Sequence, residues 1–424
     1  MKSLSWWKDT FATNLDLWKK NLLKAAGEEK EWSRAVRQWV GEARLNREAE
    51  RVVPEGALAG VPFGVKDLFD QEGEVTRAGS ILLEEIGAPA ARDALILRRL
   101  REHGAVPVGR TNMNEFAYGL DGFNPHTGDC PHPTDSERIS GGSSSGSAWI
   151  VAKGILPAAL GTDTGGSVRV PAALCGIYGF RGVPDEMARD GVFPLAKSFD
   201  TTGWFTASGE DMLALLELLW ASDNEDEGSQ ALWYAPGSVH LSEESAASYR
   251  AFVDRNPGVE RGSEAAGRVA RTLDSVIEEA FWAYNVIGSC EAFEVHREWF
   301  NRYRDRYNPD VWRLIDRSRH WESGALEYAR RLKNEVTALL GRILAENEAV
   351  MMPAVHTVAP RMSDVDQEFR VDIIKLTSLA SLAGAPVLTI PLKTSSGLSC
   401  GVQVITTPER VLPVAKRYLS GGAQ

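Results

Sequence analysis

The sequence has 424 residues and a formal net charge of −11, with 43% hydrophobic and 25% charged residues. This mixture is typical of a globular protein with one large domain or two to three ordinary ones, and it excludes collagen-like and wholly disordered chains. The excess of acidic residues argues against a general surface for polyanions, so we expect no nucleic-acid partner.

The N-terminal residues and the cysteines bear on location and on metal binding. The segment from Met1 to Asp9 lacks the apolar run of a signal peptide, and no later stretch approaches the roughly 20 apolar residues that span a bilayer. Neither C-x-x-C nor H-E-x-x-H occurs, and the carboxylates show no metal-ligand spacing. We therefore predict a cytoplasmic protein that needs no membrane, metal or organic cofactor.

Apolar residues in the first fifty positions recur mainly at spacings of three and four, as on one face of a helix. Two runs show this pattern: Trp7, Phe11, Leu15, Trp18 and Leu22, then Trp32, Val36, Trp39 and Val40. We predict that segment 1–50 forms two amphipathic helices whose aromatic face packs on the core or on a partner.

From about Leu58, short apolar runs alternate with helical patterns. The runs at 60–65 and 105–109 are typical of strands. Between them lies a predicted helix with Asp93 as its N-cap and Gly104 just past its end. The succession strand, helix, strand predicts an α/β fold.

The rest of the chain divides into a helical part and a second strand-rich part. Acidic residues open the helical part: Asp223, Glu225, Asp226 and Glu227. We predict a core at 51–221, a helical insertion or cap at 222–349 and a C-terminal part at 350–424. Strand-like runs in the C-terminal part are expected to rejoin the first sheet, and they lie at 350–353, 386–391 and 401–405.

The most informative segment contains two glycine-rich turns, each followed by a run compatible with a helix. The first, Ser140–Ser147, reads SGGSSSGS, and the second, Gly161–Arg169, reads GTDTGGSVR. Glycines allow backbone N–H groups to converge on one point, as an anion or an oxyanion requires. The segment therefore predicts an anion-binding or catalytic site.

Three interpretations of these turns remain open on the residues alone. A phosphate cradle would need G-x-x-x-x-G-K-[ST] or G-x-G-x-x-G, and neither occurs here. A nucleophile elbow would make Ser144 the nucleophile, and it needs an acid and a downstream histidine. Only scattered histidines are available for that role: His296, His320 and His356.

The third interpretation takes Ser167 as the nucleophile and a residue other than histidine as the base. Its oxyanion hole would consist of backbone N–H groups in the second turn, from Thr164, Gly165, Gly166 and Ser167. The base must then come from another part of the chain.

Lys66 is the candidate base. It ends the apolar run at 60–65, where burial would lower the pKa of its amine toward a range in which the neutral form accepts a proton. Alternatively, Lys66 forms an ion pair with Asp67 or Asp70. Cys175 is interpreted as a small buried hydrophobic residue, although a nitrilase-like Cys–Glu–Lys amidase would use such a thiol as its nucleophile.

These motifs together resemble the amidase signature family. Residues 60–67 are similar to its lysine motif, and the two glycine-rich turns are similar to its serine-rich signature, with the family's spacing between Ser143 and Ser167. Shorter matches lie elsewhere: Arg110–Phe116, Gly384–Pro386 and Gly401–Gln403. The resemblance implies a mixed central β-sheet covered by helices on both sides, with a helical insertion.

The resemblance also implies a Ser–cis-Ser–Lys triad. Ser167 would be the nucleophile, Ser143 the serine that follows a cis peptide bond, and Lys66 the base. A proton would pass from Ser167 to Ser143 and on to Lys66, and water would hydrolyse the acyl-enzyme. Ser144 would support this site, and we predict that Asp163 and Arg169 form an ion pair beneath the oxyanion loop.

The family's register also implies the function and the substrate contacts. Ala117, Tyr118 and Gly119 fall where family members line the acyl pocket, and Ser198–Phe205 is similar to compact indole-acetamide hydrolases. We predict an amidohydrolase that converts a small, aryl-alkyl or other carboxamide to a carboxylate and ammonia or an amine.

Two other functions remain open. The chain could be the glutaminase-type component of a tRNA-dependent amidotransferase, or a non-enzymatic binding protein whose tryptophan-rich face is an interface. For the predicted amidohydrolase, the expected partner is a small amide substrate, and a homodimer also remains open.

Overall fold

The computed structural model describes residues 1–27, 34–220 and 230–419. Within these ranges the strands are β1 (Val36–Trp39), β2 (Pro62–Lys66), β3 (Val106–Thr111), β4 (Ala158–Asp163), β5 (Tyr178–Arg181), β6 (Thr201–Thr206), β7 (Ala231–Trp233), β8 (Val259–Glu260), β9 (Ala349–Pro353), β10 (Val387–Lys393) and β11 (Ser399–Ile405). All of them belong to one 11-stranded sheet.

Helices surround the sheet and connect most of its strands. The α-helices in the described ranges are α1 (Leu4–Thr13), α2 (Leu15–Gly27), α3 (Glu42–Glu50), α4 (Ile81–Ile86), α5 (Leu95–Glu102), α6 (Ser145–Ala152), α7 (Arg169–Cys175), α8 (Gly209–Leu219), α9 (Glu243–Arg255), α10 (Glu264–Asp274), α11 (Ile277–His296), α12 (Pro309–Asp316), α13 (Ala325–Glu346), α14 (Gln367–Ala383) and α15 (Val411–Leu419).

The sheet is mixed, as predicted. Its strand order is β1-β3-β2-β4-β6-β5-β10-β11-β9-β7-β8, with β2 parallel to β3 and β4 and antiparallel pairs from β4 to β9. Strands β9, β10 and β11 confirm that the C-terminal part rejoins the first sheet. Every residue of β2, β4 and β6 is buried, because helices cover both faces of the sheet there.

The predicted strand, helix, strand unit is confirmed as β2, α5 and β3. Gly104 lies just past α5 with a φ of 84°, the left-handed conformation that favours glycine after a helix. The predicted N-cap is wrong by one residue, because α5 begins after Ala94. Asp93 instead accepts hydrogen bonds from the Glu72 N–H group and the Arg101 side chain.

The N-terminal segment differs from the two predicted helices. Its first apolar run lies on α1 and α2, which are separated at Asn14, so that Trp7 and Trp18 are buried while Leu15 is 40% exposed. The second run is not a helix, since residues 36–39 form β1 antiparallel to β3. Four residues carry too little periodicity to distinguish a strand from a helix, and pairing with β3 decides the outcome. Trp32 lies outside the described residues.

Segment 222–349 contains the long helices α11 and α13, together with three others. It also contributes β7 and β8, which the sequence analysis did not predict and which extend the sheet in parallel beyond β9. The acidic residues of 223–227 lie outside the described residues. No helix in the described part of the chain is long and apolar enough to cross a membrane.

Candidate active site

Lys66 ends β2, which lies between β3 and β4 in the sheet, and is completely buried. Its Nζ donates hydrogen bonds to Ser143 Oγ and to Thr162 Oγ1, each 2.8 Å long. Strands β2 and β4 are adjacent, which places Thr162 beside the amine. The structure therefore brings the predicted base and the predicted bridging serine into direct contact.

The alternative ion pair of Lys66 with a neighbouring aspartate is wrong. Asp67 instead pairs with Arg110, with 2.6 Å between the Arg110 Nη2 and Asp67 Oδ1 atoms. Asp70 accepts a hydrogen bond of 2.5 Å from Thr76 Oγ1. Neither carboxylate neutralises Lys66, whose amine is left to bind hydroxyl groups.

Burial lowers the pKa of Lys66 to about 7, although the nearby charges of Asp163 and Asp200 act to raise it. A buried ammonium group loses its hydration, and this loss favours the neutral amine. Near neutral pH a large fraction of Lys66 is therefore unprotonated and able to accept a proton.

The loop before α6 carries Ser143. The peptide bond between Gly142 and Ser143 is cis, as the family resemblance implies. Asn114 closes over this loop: its N–H donates to Ser143 O at 3.3 Å, and a Cβ atom on Gly142 would lie 2.0 Å from its Oδ1 atom. Asn114 belongs to a motif that the sequence analysis quoted, but its contact with the serine loop depends on the fold.

Ser144 and Ser167 connect the two glycine-rich turns. The Ser144 N–H donates to Ser167 O at 3.3 Å, and Ser144 Oγ donates to Thr162 O at 3.2 Å. Ser167 Oγ makes no hydrogen bond to any residue in the described ranges. Hydrogen bonds between catalytic groups often form only around the reacting substrate.

The histidines that a nucleophile elbow would need are engaged away from Ser144. His296 bonds to Tyr307, His320 to Asp316, and the ring of His356 packs against Phe369. Cys175 is also poorly suited to act as a nucleophile, because burial raises the pKa of its thiol well above the usual value. Its Sγ donates to Ser140 O at 3.2 Å. The geometry favours Ser167 over both alternatives.

The predicted oxyanion loop bends sharply at Gly166, whose φ of 121° is a conformation that other residues rarely adopt. The Gly166 N–H donates to Asp163 Oδ1 at 2.9 Å and is therefore already bound. Among the described residues, none accepts a hydrogen bond from the N–H of Gly165 or Ser167. These two groups are the best placed to bind an oxyanion, a role that remains a prediction.

Asp163 holds the loop from below. The predicted pair with Arg169 is present at 2.8 Å, and Arg181, which the sequence analysis missed, contacts the same carboxylate at 2.9 Å. All three side chains are completely buried. Burial alone would raise the pKa of Asp163, but Arg169 and Arg181 hold it well below its usual range. The carboxylate therefore stays ionised and also accepts hydrogen bonds from the loop's N–H groups.

Replacing Asp163 with asparagine is expected to lower the free energy of unfolding by about 3–5 kcal/mol, because two buried arginines would lose their counter-charge. Denaturant unfolding measures this change. Asp254→Asn is the matched control, since Asp254 is exposed and pairs with Arg261 at the surface, where loss of a pair costs up to about 1 kcal/mol. Equal effects of the two variants would contradict a structural role for Asp163.

A second buried acid supports the other side of the loop. Asp200 accepts a 2.6 Å hydrogen bond from Thr164 Oγ1 and further bonds from the N–H groups of Leu195 and Ala196. Burial raises the pKa of Asp200 to about 6. Asp200 lies within a stretch that the sequence analysis quoted, but only the approach of this stretch to the loop reveals the contact.

A small cavity opens beside Ser167. The predicted substrate contacts Ala117, Tyr118 and Gly119 line it, and their contact with substrate remains a prediction. Phe116 and Ala117 both have left-handed φ angles, 52° and 59°, a strained conformation of the kind that clusters at functional sites. Residues absent from the sequence-based site complete the wall: Leu195, Tyr284, Arg370 and Ile374.

Tyr284, from α11, covers the oxyanion loop. A Cβ atom added to Gly165 would lie 2.0 Å from the Tyr284 hydroxyl oxygen, so the second glycine-rich turn needs glycine at this position. No cluster of three or more histidine, cysteine or acidic side chains that could hold a metal occurs in the described ranges. The arrangement of a buried amine, hydroxyl groups and free N–H groups suits nucleophilic attack on a carbonyl group.

A protein-family model described as Amidase matches residues 38–410. The chain belongs to this family. Membership confirms the resemblance that the motifs predicted, and it confirms the expected enzyme class, a hydrolase of amide C–N bonds.

Three known proteins illustrate the relationship. The chain is 33% identical over 373 residues to the AtzE component of the 1-carboxybiuret hydrolase of Pseudomonas sp. (strain ADP), across 83% of this chain and 81% of that protein. It is 32% identical over 416 residues to one component of the glutamyl-tRNA(Gln) amidotransferase of Treponema pallidum (strain Nichols), across 85% and 81%. The crystal structure of an amidase, 28% identical, matches with a TM-score of 0.82 across 97% of this chain and 98% of that one.

Proposed function

We propose that this amidase-family chain cleaves a small carboxamide to a carboxylate and ammonia or an amine through an acyl-enzyme on Ser167. The main support is the 2.8 Å hydrogen bond between Lys66 Nζ and Ser143 Oγ in a fully buried site. Ser167 lies next to this pair, since the residue after Ser143 donates its N–H to Ser167 O. A base, a bridging hydroxyl and a nucleophile are thus assembled from three separate segments.

The proposed reaction begins with neutral Lys66. Lys66 takes a proton from Ser143 as Ser143 takes one from Ser167, and Ser167 Oγ bonds to the amide carbon. The N–H groups of Gly165 and Ser167 stabilise the negative charge that forms on the carbonyl oxygen. The proton returns to the amide nitrogen as the C–N bond breaks, and water then hydrolyses the ester by the same proton route.

A second candidate is the glutaminase component of a tRNA-dependent amidotransferase. The identity of 32% with a component of such an enzyme, over 416 residues, favours it. The chemistry at Ser167 would be the same, but the ammonia would pass to a partner protein. The two candidates differ in the acyl group that the pocket must bind, which is aryl-alkyl in the first prediction and the glutamine side chain in the second.

Ammonia release by the purified chain tests the proposal. The amides are indole-3-acetamide, phenylacetamide, propionamide, malonamate and glutamine. We expect release from at least one simple amide without any added protein. Release from glutamine alone, stimulated by partner proteins, would favour the second candidate. Absence of ammonia release from every amide, together with failure of a fluorophosphonate to label Ser167, would overturn both candidates.

A further inference from the structure

Two arginines lie near Tyr118, a residue that lines the cavity beside Ser167. Arg370, on α14, lines the cavity, and its guanidinium carbon lies 5.6 Å from the centroid of the Tyr118 ring. Arg317 follows α12 and is held at 3.4 Å from Asn285 Oδ1, one residue from Tyr284 of the cavity wall. One positive charge therefore lines the cavity that also contains the predicted nucleophile, and a second lies close enough to interact with it electrostatically.

Neither of these two arginines forms an ion pair within the described part of the chain. Neither guanidinium is within ion-pair distance of a described carboxylate. Asp121 is near enough to feel the charge of Arg370, but its Oδ1 atom accepts hydrogen bonds from Asn114 and from the Phe123 N–H group. Arg169 and Arg181 differ in this respect, because both form ion pairs with the buried Asp163.

The two arginines also oppose each other electrostatically. Partial burial, together with the charge of Arg370, lowers the pKa of Arg317. Like charges held together at a partly buried site are unfavourable unless an anion compensates them. An arginine fork matches the two oxygens of a carboxylate, and aromatic neighbours such as Tyr118 keep its plane in place.

We infer that the substrate amide carries a carboxylate, which Arg370 binds in the cavity while Arg317 adds charge at its rim. This inference rests on the proposed function, because it places the amide carbonyl at Ser167 and the carboxylate at Arg370 in the same cavity. Hydrolysis would break the C–N bond, place a water oxygen on the acyl carbon and release a dicarboxylate with ammonia or an amine.

Protection of Ser167 from a neutral fluorophosphonate tests this inference without knowledge of the natural substrate. Intact-protein mass measures the rate of labelling in the presence of malonate, succinate or glutarate, which are products of the inferred reaction, or of the matching neutral diamides. In the unaltered chain we expect at least one dicarboxylate to protect at a concentration about tenfold or more below that of its diamide.

The variants Arg370→Gln and Arg317→Gln locate the effect. We expect Arg370→Gln to weaken protection by the dicarboxylate about 10- to 100-fold and to leave protection by the diamide unchanged. Arg317→Gln should have a smaller effect in the same direction, and Arg370→Lys should restore part of the loss. Arg268→Gln is the matched control, because Arg268 is exposed on α10 and pairs with Glu264 of the same helix.

The outcomes separate this inference from the proposed function. Three outcomes with normal labelling would overturn the carboxylate site and leave the nucleophile intact. The dicarboxylates and diamides could protect equally, neither could protect, or protection by the dicarboxylate could survive Arg370→Gln. Absence of labelling in the unaltered, folded chain would overturn both. Thermal unfolding of each variant establishes that a change in protection does not come from misfolding.

Discussion

Replacing Ser167 with alanine is expected to lower kcat/KM for any amide substrate by about 10⁴-fold or more, because the only atom that attacks the carbonyl in the proposed reaction is removed. The same change should abolish the mass increase that a fluorophosphonate produces. Ser167 is 3% exposed, and Ser167 Oγ makes no hydrogen bond to a described residue, so its removal should leave the fold intact. Activity, labelling and thermal unfolding are measured on the same preparation.

Ser144→Ala is the matched comparison for this variant. Ser144 Oγ donates to Thr162 O and accepts from the Thr162 N–H, so we expect a loss of alignment and a smaller fall in activity, with labelling retained. The nucleophile-elbow interpretation predicts the reverse. If labelling survives in Ser167→Ala and disappears in Ser144→Ala, then the assignment of the nucleophile is wrong.

The second large effect concerns Lys66. Its pKa of about 7 means that the amine is protonated below this pH and mostly neutral above it. Only the neutral amine accepts a proton, so kcat/KM is expected to rise with pH through about 7 and then to level off. The midpoint of this rise is measured from kcat/KM as a function of pH, with an amide substrate that can be brought to saturating concentration.

Lys66→Met keeps the length and apolar character of the side chain and removes the base. We expect kcat/KM to fall about 10²- to 10⁴-fold and the rise near neutral pH to disappear. Lys153→Met is the control, since Lys153 lies just past the end of α6 and is exposed. A rise that persists in Lys66→Met would instead implicate another group, with Asp200 the first candidate because burial raises its pKa to about 6.

Much of the fold could be predicted from local patterns. The unit of β2, α5 and β3 follows from an apolar run, a helical period and a glycine just past the helix, all of which act over a few residues. Strands β1, β7 and β8 could not be predicted in this way. They are two to four residues long, and each exists because it pairs with a strand that is distant in the chain.

In the candidate site, too, some residues could be predicted from local motifs and others could not. Lys66, Ser143 and Ser167 could be predicted because each lies in a motif of glycines and small residues. Arg181 could not, since its relation to Asp163 depends on β4, β6 and β5 being neighbours in the sheet. Tyr284 and Arg370 come from long helices whose sequence pattern indicates only which face is apolar.

The sequence alone therefore determined the family and the enzyme class, because the motifs that carry the family resemblance are local. The same resemblance implied the three residues of the proposed triad. The tertiary structure decided what surrounds them. The lowered pKa of Lys66 results from its burial, and the ionised state of Asp163 results from two arginines on different elements. The proximity of Arg370 and Arg317 arises only because the fold brings α14 near the end of α12. Desolvation and charge interactions depend on distance in space, and separation along the chain does not reveal that distance.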